Sequence, residues 1–309
     1  MRLASKLYGM MKKVKPNEGE LTMQKVLIIG GGFMGSAIAK YFVQYNVDVY
    51  LYEPNMERLQ QLKQQSDLHE ITFLQQLEQI DDLTFVFEAI VENLQAKQSL
   101  FEQLDSFYGR EVTFCTNTSS YLISDIAVNM LHKERLIGTH FFSPAHITPL
   151  IEVVPSAYTA QERANATMEF LQGVCKKPIL LKREIEGFVA NRLQSALARE
   201  AMSLVEKGIV TAEELDFIAK MSLGVRLAHT GPLEQRDING LDTHYAIVDH
   251  VYPTLENGTK PLAIHHAKIE AKQYGMKTNQ GFYDWSSIDK QQYLAEKEKI
   301  LIDIIKLVQ

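Results

Sequence analysis

A histidine at the end of one strand-like run and a glutamate inside the next are the residues of this sequence best suited to move a proton. His140 closes RLIGTHFF, the turn SPAHITP follows, and Glu152 lies in LIEVV, so the two can meet side by side where these runs pair. Imidazole, with a pKa near about 6.5, is the usual base for a hydroxyl proton lost as hydride leaves carbon. A carboxylate on its other ring nitrogen fixes the tautomer and stabilises the imidazolium. The chain has nine histidines, however, and a strand-end histidine is more often structural. By spacing alone His146, in the turn, and His229, before Gly231, compete with His140. The stretch CTNTSS ends another strand and leads toward a helix. It puts Asn117, Ser119 and Ser120 at the carboxyl ends of the sheet, where open α/β folds bind ligands, although capping and turn formation use the same residues.

A second constellation binds rather than reacts. VLIIGGGFMGSAIA places Gly30, Gly32 and Gly35 at G-x-G-x-x-G spacing, with Phe33 and Met34 inside the motif, directly after a strand and at the opening of a helix. In that setting the first glycine permits a tight turn, the second admits a pyrophosphate to the backbone, and the third lets helix and strand pack closely. The phosphates then meet the amides and positive dipole end of the helix. Glu53 ends the second strand-like run 23 positions beyond Gly30, close to where an acidic group binds ribose hydroxyls. A carboxylate there repels a 2′-phosphate, so NAD is favoured over NADP, with Arg58 nearby to soften that preference.

These residues need a frame, and the sequence supplies one. From Lys25 onward, runs rich in Val, Ile and Phe alternate with amphipathic stretches of helix length, the pattern of βαβ units and a parallel sheet. The expected strands are KVLIIG, VDVYLYE, EITFL, LTFVFEA, VTFCTN, RLIGTHFF and LIEVV. Helical spacing covers 34–45, 56–65, 94–107 and 123–131 between them. Farther on, strand-like runs stop and helices are expected over 187–207, 211–221 and 240–251, the second opening on a Thr211/Glu214 capping box. The fold class is therefore α/β: an N-terminal Rossmann domain over 23–184 followed by an all-α C-terminal domain over 185–309. Residues 1–22 hold five lysines and arginines without an apolar h-region or cleavage site, so they read as a disordered extension rather than a secretory signal, with Met23 a plausible alternative start.

Composition narrows the class further. The chain has 309 residues, 46% hydrophobic and 23% charged, with a formal net charge of −6. No basic stripe exists to neutralise a nucleic-acid backbone. No run approaches the roughly 18 apolar residues that a membrane span needs. Cys115 and Cys175 lack metal-ligand or disulfide-framework spacing, which points to no metal and a reducing cytoplasm.

Taken together, VLIIGGGFMGSAIA, FEAIVENLQAKQSLFEQL, TNTSS, GTHFFSPAHITPLIEVV, GFVANRL, GPLEQRDINGLD and KTNQGFYDW stand in an order that resembles the L-3-hydroxyacyl-CoA dehydrogenase family from Lys25 to about Trp285. The resemblance implies that His140 is the general base and Glu152 its orienting partner, and that Ser119 and Asn191 bind the substrate oxygen between the domains. It implies cofactor contacts at Glu92, Lys97, Ser119, Ser143 and Lys277, with Ser143 standing where the family typically has Asn and Asn279 where it often has Gly. The implied reaction is NAD-dependent interconversion of a short-chain 3-hydroxyacyl-CoA, such as 3-hydroxybutyryl-CoA, and its 3-keto form, in a homodimer joined through the helical domain. Many members carry a long helical hairpin after the second strand that helps bind coenzyme A, and here about one helix fits. That difference keeps open a free hydroxy acid, carnitine-like or gulonate-like. A Rossmann enzyme using NAD in a non-redox step and a silent NAD sensor are the remaining readings. The set His140, Glu152, Ser119 and Asn191 speaks against both.

Overall fold

The computed structural model describes residues 24–65 and 68–308. The expected extension over 1–22 and the alternative start at Met23 lie outside the described residues. Those described fall into two compact units divided between Asn191 and Arg192.

The first unit is a single sheet covered on both faces. Its strands are β1 Lys25–Ile29, β2 Asp48–Tyr52, β3 Thr72–Leu74, β4 Leu83–Glu88, β5 Thr113–Thr116, β6 Leu136–Phe141, β7 Leu150–Val154 and β8 Lys177–Leu180. They lie in the order β3-β2-β1-β4-β5-β6-β7-β8, a parallel-dominated Rossmann sheet in which only β6 and β7 run antiparallel. All seven expected strands are present. The eighth, β8, escaped the sequence pattern because KPIL is short and contains Pro178, which the ladder tolerates at a sheet edge.

Alternate residues of one strand feed opposite layers, which is why β1 reads as an unbroken apolar run. Val26 and Ile28 join Phe42, Phe87, Phe141 and Phe170 on one face. Leu27 and Ile29 join Phe101, Phe114 and Ile123 on the other. Each such side chain, fully buried, contributes about 1.5–3 kcal/mol relative to exposure. The covering helices of this unit are α1 Phe33–Val43, α2 Met56–Lys63, α3 Leu94–Phe107, the single turn α4 Ile123–Ile126 and α5 Gln161–Gly173. The stretch expected to be helical to residue 131 leaves the α-helix at Ile126 and passes into a 3₁₀ turn, Ala127–Asn129. Helix α5 was not foreseen, because its buried stripe of Ala164, Thr167, Phe170 and Leu171 is short in large apolar residues.

One buried ion pair locks α3 to the start of β6. Arg135, 1% exposed, donates from Nε and Nη2 to Asp105 Oδ1 at 2.9 and 2.7 Å and lies over the Phe114 ring. Asp105 Oδ2 also accepts the amides of Leu131 and His132.

The second unit is helical. It contains the length of α6 Ala190–Glu206 beyond Asn191, then α7 Ala212–Ile218, α8 Val225–Leu227, α9 Pro232–Asn239, α10 Leu241–Val251, α11 Ala263–Glu270 and α12 Lys290–Val308. The expected Thr211/Glu214 capping box is formed, with reciprocal bonds of 3.2 and 2.9 Å. After Ile218 the helix widens into a π turn, Ala219–Gly224, instead of running on to Met221 as an α-helix. Few of this unit's described side chains are buried. Leu193, Phe217, Met221, Leu233 and Tyr245 are each at least 60% exposed. No helix among the described residues is long and apolar enough to cross a membrane.

Asp105 generates the first prediction. Burial pushes its carboxyl up, but amide donation from His132 and Leu131 and the bonds and charge of Arg135 outweigh that and hold it below the usual carboxylate range. A depressed folded pKa adds stability above the unfolded value, near about 3.9, and loses it as pH falls through the folded value. Asp105→Asn should cost about 3 kcal/mol by urea denaturation at neutral pH, because it strands the Arg135 charge. The variant should also lose part of the wild type's drop in stability below about pH 4. An unchanged midpoint and an unchanged acid profile would refute the role given to this pair.

Candidate active site

The turn after β1 has the form the glycine pattern demanded. Gly30 adopts φ +101°, and a Cβ on Gly35 would collide with the Gly30 carbonyl oxygen, so helix and strand approach as closely as two glycines allow. At Gly32 nothing lies within 4 Å of where a Cβ would stand. Helix α1 opens there without a side-chain cap and without an acidic residue in its first turn, which leaves its positive end available to an anion. Phe33 is exposed and Met34 half-buried at that opening. Glu53, at the end of β2, accepts the Gly31 amide at 2.9 Å and the Asn55 amide at 2.9 Å. Arg58 Nε donates to the Gly31 carbonyl at 2.7 Å, so Arg58 braces the glycine turn, a use the sequence did not suggest. Free amides, open space and an oriented carboxylate fit a dinucleotide.

A second group of charges sits at the carboxyl ends of β4 and β5. Lys97 is buried on the same face of α3 as Phe101 and Leu104. Its ammonium lies 2.6 Å from Glu88 Oε1 and 3.3 Å from Glu92 Oε2. Thr116 donates to Glu88 Oε2 at 2.6 Å. Glu92 Oε1 accepts Thr118 Oγ1 at 2.7 Å, the Ser119 amide at 3.0 Å, Ser120 Oγ at 3.0 Å and Ser119 Oγ at 3.4 Å. Burial raises the Glu92 carboxyl, but Thr118, the Lys97 charge and the two serines together hold it below its ordinary value. Glu88, fully buried, joins this cluster without having been expected from the sequence. Its only signal was an acid ending the strand next to β1.

The antiparallel pairing of β6 and β7 sets His140 directly opposite Glu152. His140 Nδ1 lies 2.9 Å from Glu152 Oε2, and both residues are buried. A neutral imidazole that donates from Nδ1 to this carboxylate keeps its lone pair on Nε2. Glu152 Oε1 accepts the amides of Val189 and Ala190 at 3.0 and 2.9 Å. Burial alone would raise the Glu152 carboxyl; the His140 bond, the two amides and the His140 charge bring it below the usual range. The imidazole rests against Phe142 and Phe188, with ring centroids 4.4 and 5.7 Å away. Asn191 Nδ2 donates to the Ser119 carbonyl at 2.8 Å, which joins two of the expected substrate-binding residues. Asn117 is used differently: its Oδ1 accepts the Phe141 amide and stitches β5 to β6.

Of the other expected positions, Ser143 is exposed beside Pro144, just beyond β6. His146 follows in the same turn, and His229 lies in the second unit. Lys277 also belongs to the second unit, in a turn closed by the Gly275 amide on the Gln280 carbonyl. Asn279 in that turn takes φ +62°, a conformation asparagine tolerates better than most side chains other than glycine. Among the described residues no cluster of His, Cys, Asp or Glu is arranged to hold a metal ion.

Comparison with known proteins finds two matching family models. The model of the 3-hydroxyacyl-CoA dehydrogenase NAD binding domain matches residues 25–69 and 57–185, and that of the C-terminal domain of the same enzymes matches 187–285. The chain is similar to 3-hydroxybutyryl-CoA dehydrogenase of Mycobacterium tuberculosis, 30% identical over 288 residues covering 85% of this chain and 99% of the relative. It is also similar to L-carnitine dehydrogenase of Oceanobacillus iheyensis, 30% identical over 68% of this chain and 74% of that protein. Among solved structures, 5-formyl-3-hydroxy-2-methylpyridine 4-carboxylic acid 5-dehydrogenase, an NAD+-dependent dismutase, shares the fold with a TM-score of 0.87 at 24% identity, covering 93% of this chain and 98% of its own. An enzyme of that name comes from Mesorhizobium japonicum.

Glu53 carries the test of the nucleotide pocket. Glu53→Ala should weaken NAD+ binding at least tenfold by isothermal titration calorimetry and narrow the preference over NADP+. Unchanged affinities for both nucleotides would show that the carboxylate only braces the turn.

Proposed function

Because the chain belongs to the 3-hydroxyacyl-CoA dehydrogenase family and is an NAD-dependent oxidoreductase, we propose that His140 is its general base, oriented by Glu152, and that the reaction interconverts a 3-hydroxy group and a 3-keto group. The observation that carries this reading is the 2.9 Å contact of His140 Nδ1 with a buried Glu152. That contact leaves Nε2 as the nitrogen able to take the hydroxyl proton. NAD, when bound, would supply the hydride acceptor; Gly30, Gly32, Phe33, Met34, Gly35 and Glu53 would hold it at the nucleotide turn, with Glu92, Ser119 and Ser143 at the carboxyl ends of the neighbouring strands and the buried Lys97 acting through Glu92. Ser119 and Asn191 position the reacting oxygen, and donors of this kind commonly contribute several kcal/mol to transition-state stabilisation. As the hydroxyl proton reaches His140, the Glu152 carboxylate stabilises the imidazolium.

The first substrate reading is a short-chain acyl-CoA such as 3-hydroxybutyryl-CoA, supported by the family and by the Mycobacterium tuberculosis relative. A second reading, a free hydroxy acid, is favoured by one observation. Between Glu53 and β3 the described helix is α2 alone, eight residues long, where the family resemblance calls for a long coenzyme A hairpin. The carnitine dehydrogenase relative and the pyridine carboxylate enzyme act on compounds without that thioester by their names.

A single assay tests base and substrate class together: consumption of NADH with acetoacetyl-CoA and with free acetoacetate, for the wild type and for His140→Gln. The expected result is turnover of the thioester by the wild type and a loss of about a thousandfold in the variant, with NADH affinity nearly intact. Turnover of free acids only would move the protein to the hydroxy-acid reading. Survival of turnover in His140→Gln would remove the base assignment, and silence of the wild type across a hydroxy-acid panel would favour the NAD sensor.

The same reading includes a homodimer joined through the helical unit, supported by the large apolar side chains that this unit leaves exposed in a single chain. Sedimentation equilibrium should give a dimer, and a monomer at micromolar concentration would refute it. Two free cysteines suit a reducing cytoplasm.

A further inference from the structure

The backbone that meets Glu152 lies in GFVANRL, where the family resemblance gave a role to Asn191 alone. Gly187 and Phe188 take left-handed conformations in succession, φ +70° and +49°. Glycine adopts this region freely, but an aromatic side chain rarely does, and it persists only where the surroundings over-determine it. Two sets of contacts do so here. Phe188 is fully buried, packed in the same apolar layer as Ile123 and Val154, with its ring 5.7 Å from that of His140. The chain beyond it then delivers two consecutive amides, Val189 and Ala190, to the oxygen of Glu152 that His140 does not use. The Gly187 amide donates to the Ser120 carbonyl at 3.2 Å, and Asn191 completes the turn on the Ser119 carbonyl at 2.8 Å.

We propose that Phe188 is a positioning residue for the reaction: its buried ring anchors the left-handed turn whose amides fix the Glu152 carboxylate, and through it the His140 tautomer. The inference rests on the reading of His140 as base. A buried carboxylate with His140 as its only partner is free to rotate about its terminal bond and is exposed to protonation. Charge-assisted bonds from two adjacent amides remove both freedoms. Phe188 thus acts at one remove from the substrate, through Glu152.

Three variants separate this role from simple core filling. Phe188→Ala removes the anchor and disfavours the left-handed turn. Phe188→Leu restores apolar bulk. Ala190→Pro keeps the ring and deletes one amide at the first position of α6, where proline suits a helix. The first readout needs no substrate: the downfield proton resonance of the His140 Nδ1–H group in the free enzyme, assigned by its absence in His140→Gln. Phe188→Ala and Ala190→Pro should each broaden or displace it, with Phe188→Leu close to wild type. The second readout is reduction of whichever of acetoacetyl-CoA and acetoacetate the enzyme accepts. There kcat should fall 10- to 100-fold in Phe188→Ala and Ala190→Pro, KM for NADH should stay within twofold, and the pH profile of kcat/KM should be displaced. If either of these variants folds yet keeps the wild-type resonance, kcat and pH profile while His140→Gln is inactive, the positioning role is wrong and the base stands. If His140→Gln remains active, the base assignment falls and the role of Phe188 falls with it.

Discussion

The proposed proton transfer hangs on keeping one carboxylate ionised in a place that water hardly reaches. Glu152 is 4% exposed, and a buried acid without partners takes up a proton rather than pay the full cost of desolvating its charge. A neutral Glu152 would no longer stabilise an imidazolium at His140. Four features of the fold converge to prevent this: the antiparallel register that puts His140 opposite, the two amides at the head of α6, the left-handed turn that aims them, and the apolar layer that holds that turn. The reversal between β6 and β7 is the indispensable part. A slip of one residue would send either side chain to the other face of the sheet and dissolve the pair.

The same rule governs the charges near the nucleotide turn. Glu88 and Lys97 are both almost wholly buried, and each is satisfied by the other and by neighbours at hydrogen-bonding distance. Replacing such a pair with apolar groups can leave stability unchanged or raise it, so stability is a weak reason for its presence. Position is a better one. Lys97 reaches Glu92 as well as Glu88, and Glu92 in turn gathers Thr118, Ser119 and Ser120 into one turn at the end of β5. The buried pair therefore aligns Ser119, the residue that also meets Asn191.

How much of this was legible depended on how far apart the partners stand in sequence. The glycine turn, Glu53 and the strand runs rest on local spacing and period, and these appear where the residues imply. His140 and Glu152 are only 12 positions apart across one turn, so their pairing followed from two adjacent strands. Glu88 gave no such clue, because its burial becomes meaningful only when Lys97, nine residues on, folds back over it, and Thr116, 28 residues on, arrives from β5. Phe188 was hidden for a stronger reason. Its φ angle cannot be read from its side chain, and the carboxylate it serves lies 37 and 38 positions before the amides concerned. Helix α11 escaped for want of amphipathic contrast and strand β8 because it is short and carries Pro178, while α9 and the long α12 were also absent from the expected helices.

The division of labour within the sheet explains why reaction type is easier to reach than substrate. The proposed base, its partner, Ser119 and the nucleotide turn occupy the carboxyl ends of β1, β4, β5 and β6 together with the adjoining β7, positions the register fixes to within a residue. The segment after β2 is under no such constraint. It needs only to return the chain to β3, and loops on a rigid scaffold change length at little thermodynamic cost. A family can therefore keep one proton-transfer set and exchange the element that grips the far end of the substrate. In this chain the described helix between β2 and β3 is α2, whose buried residues are Leu59 and Leu62. Both leucines pack inward, and the helix leaves Met56 and its polar side chains exposed. On the proposed reading, selectivity then falls to side chains near the base, such as Phe142, whose ring lies against that of His140.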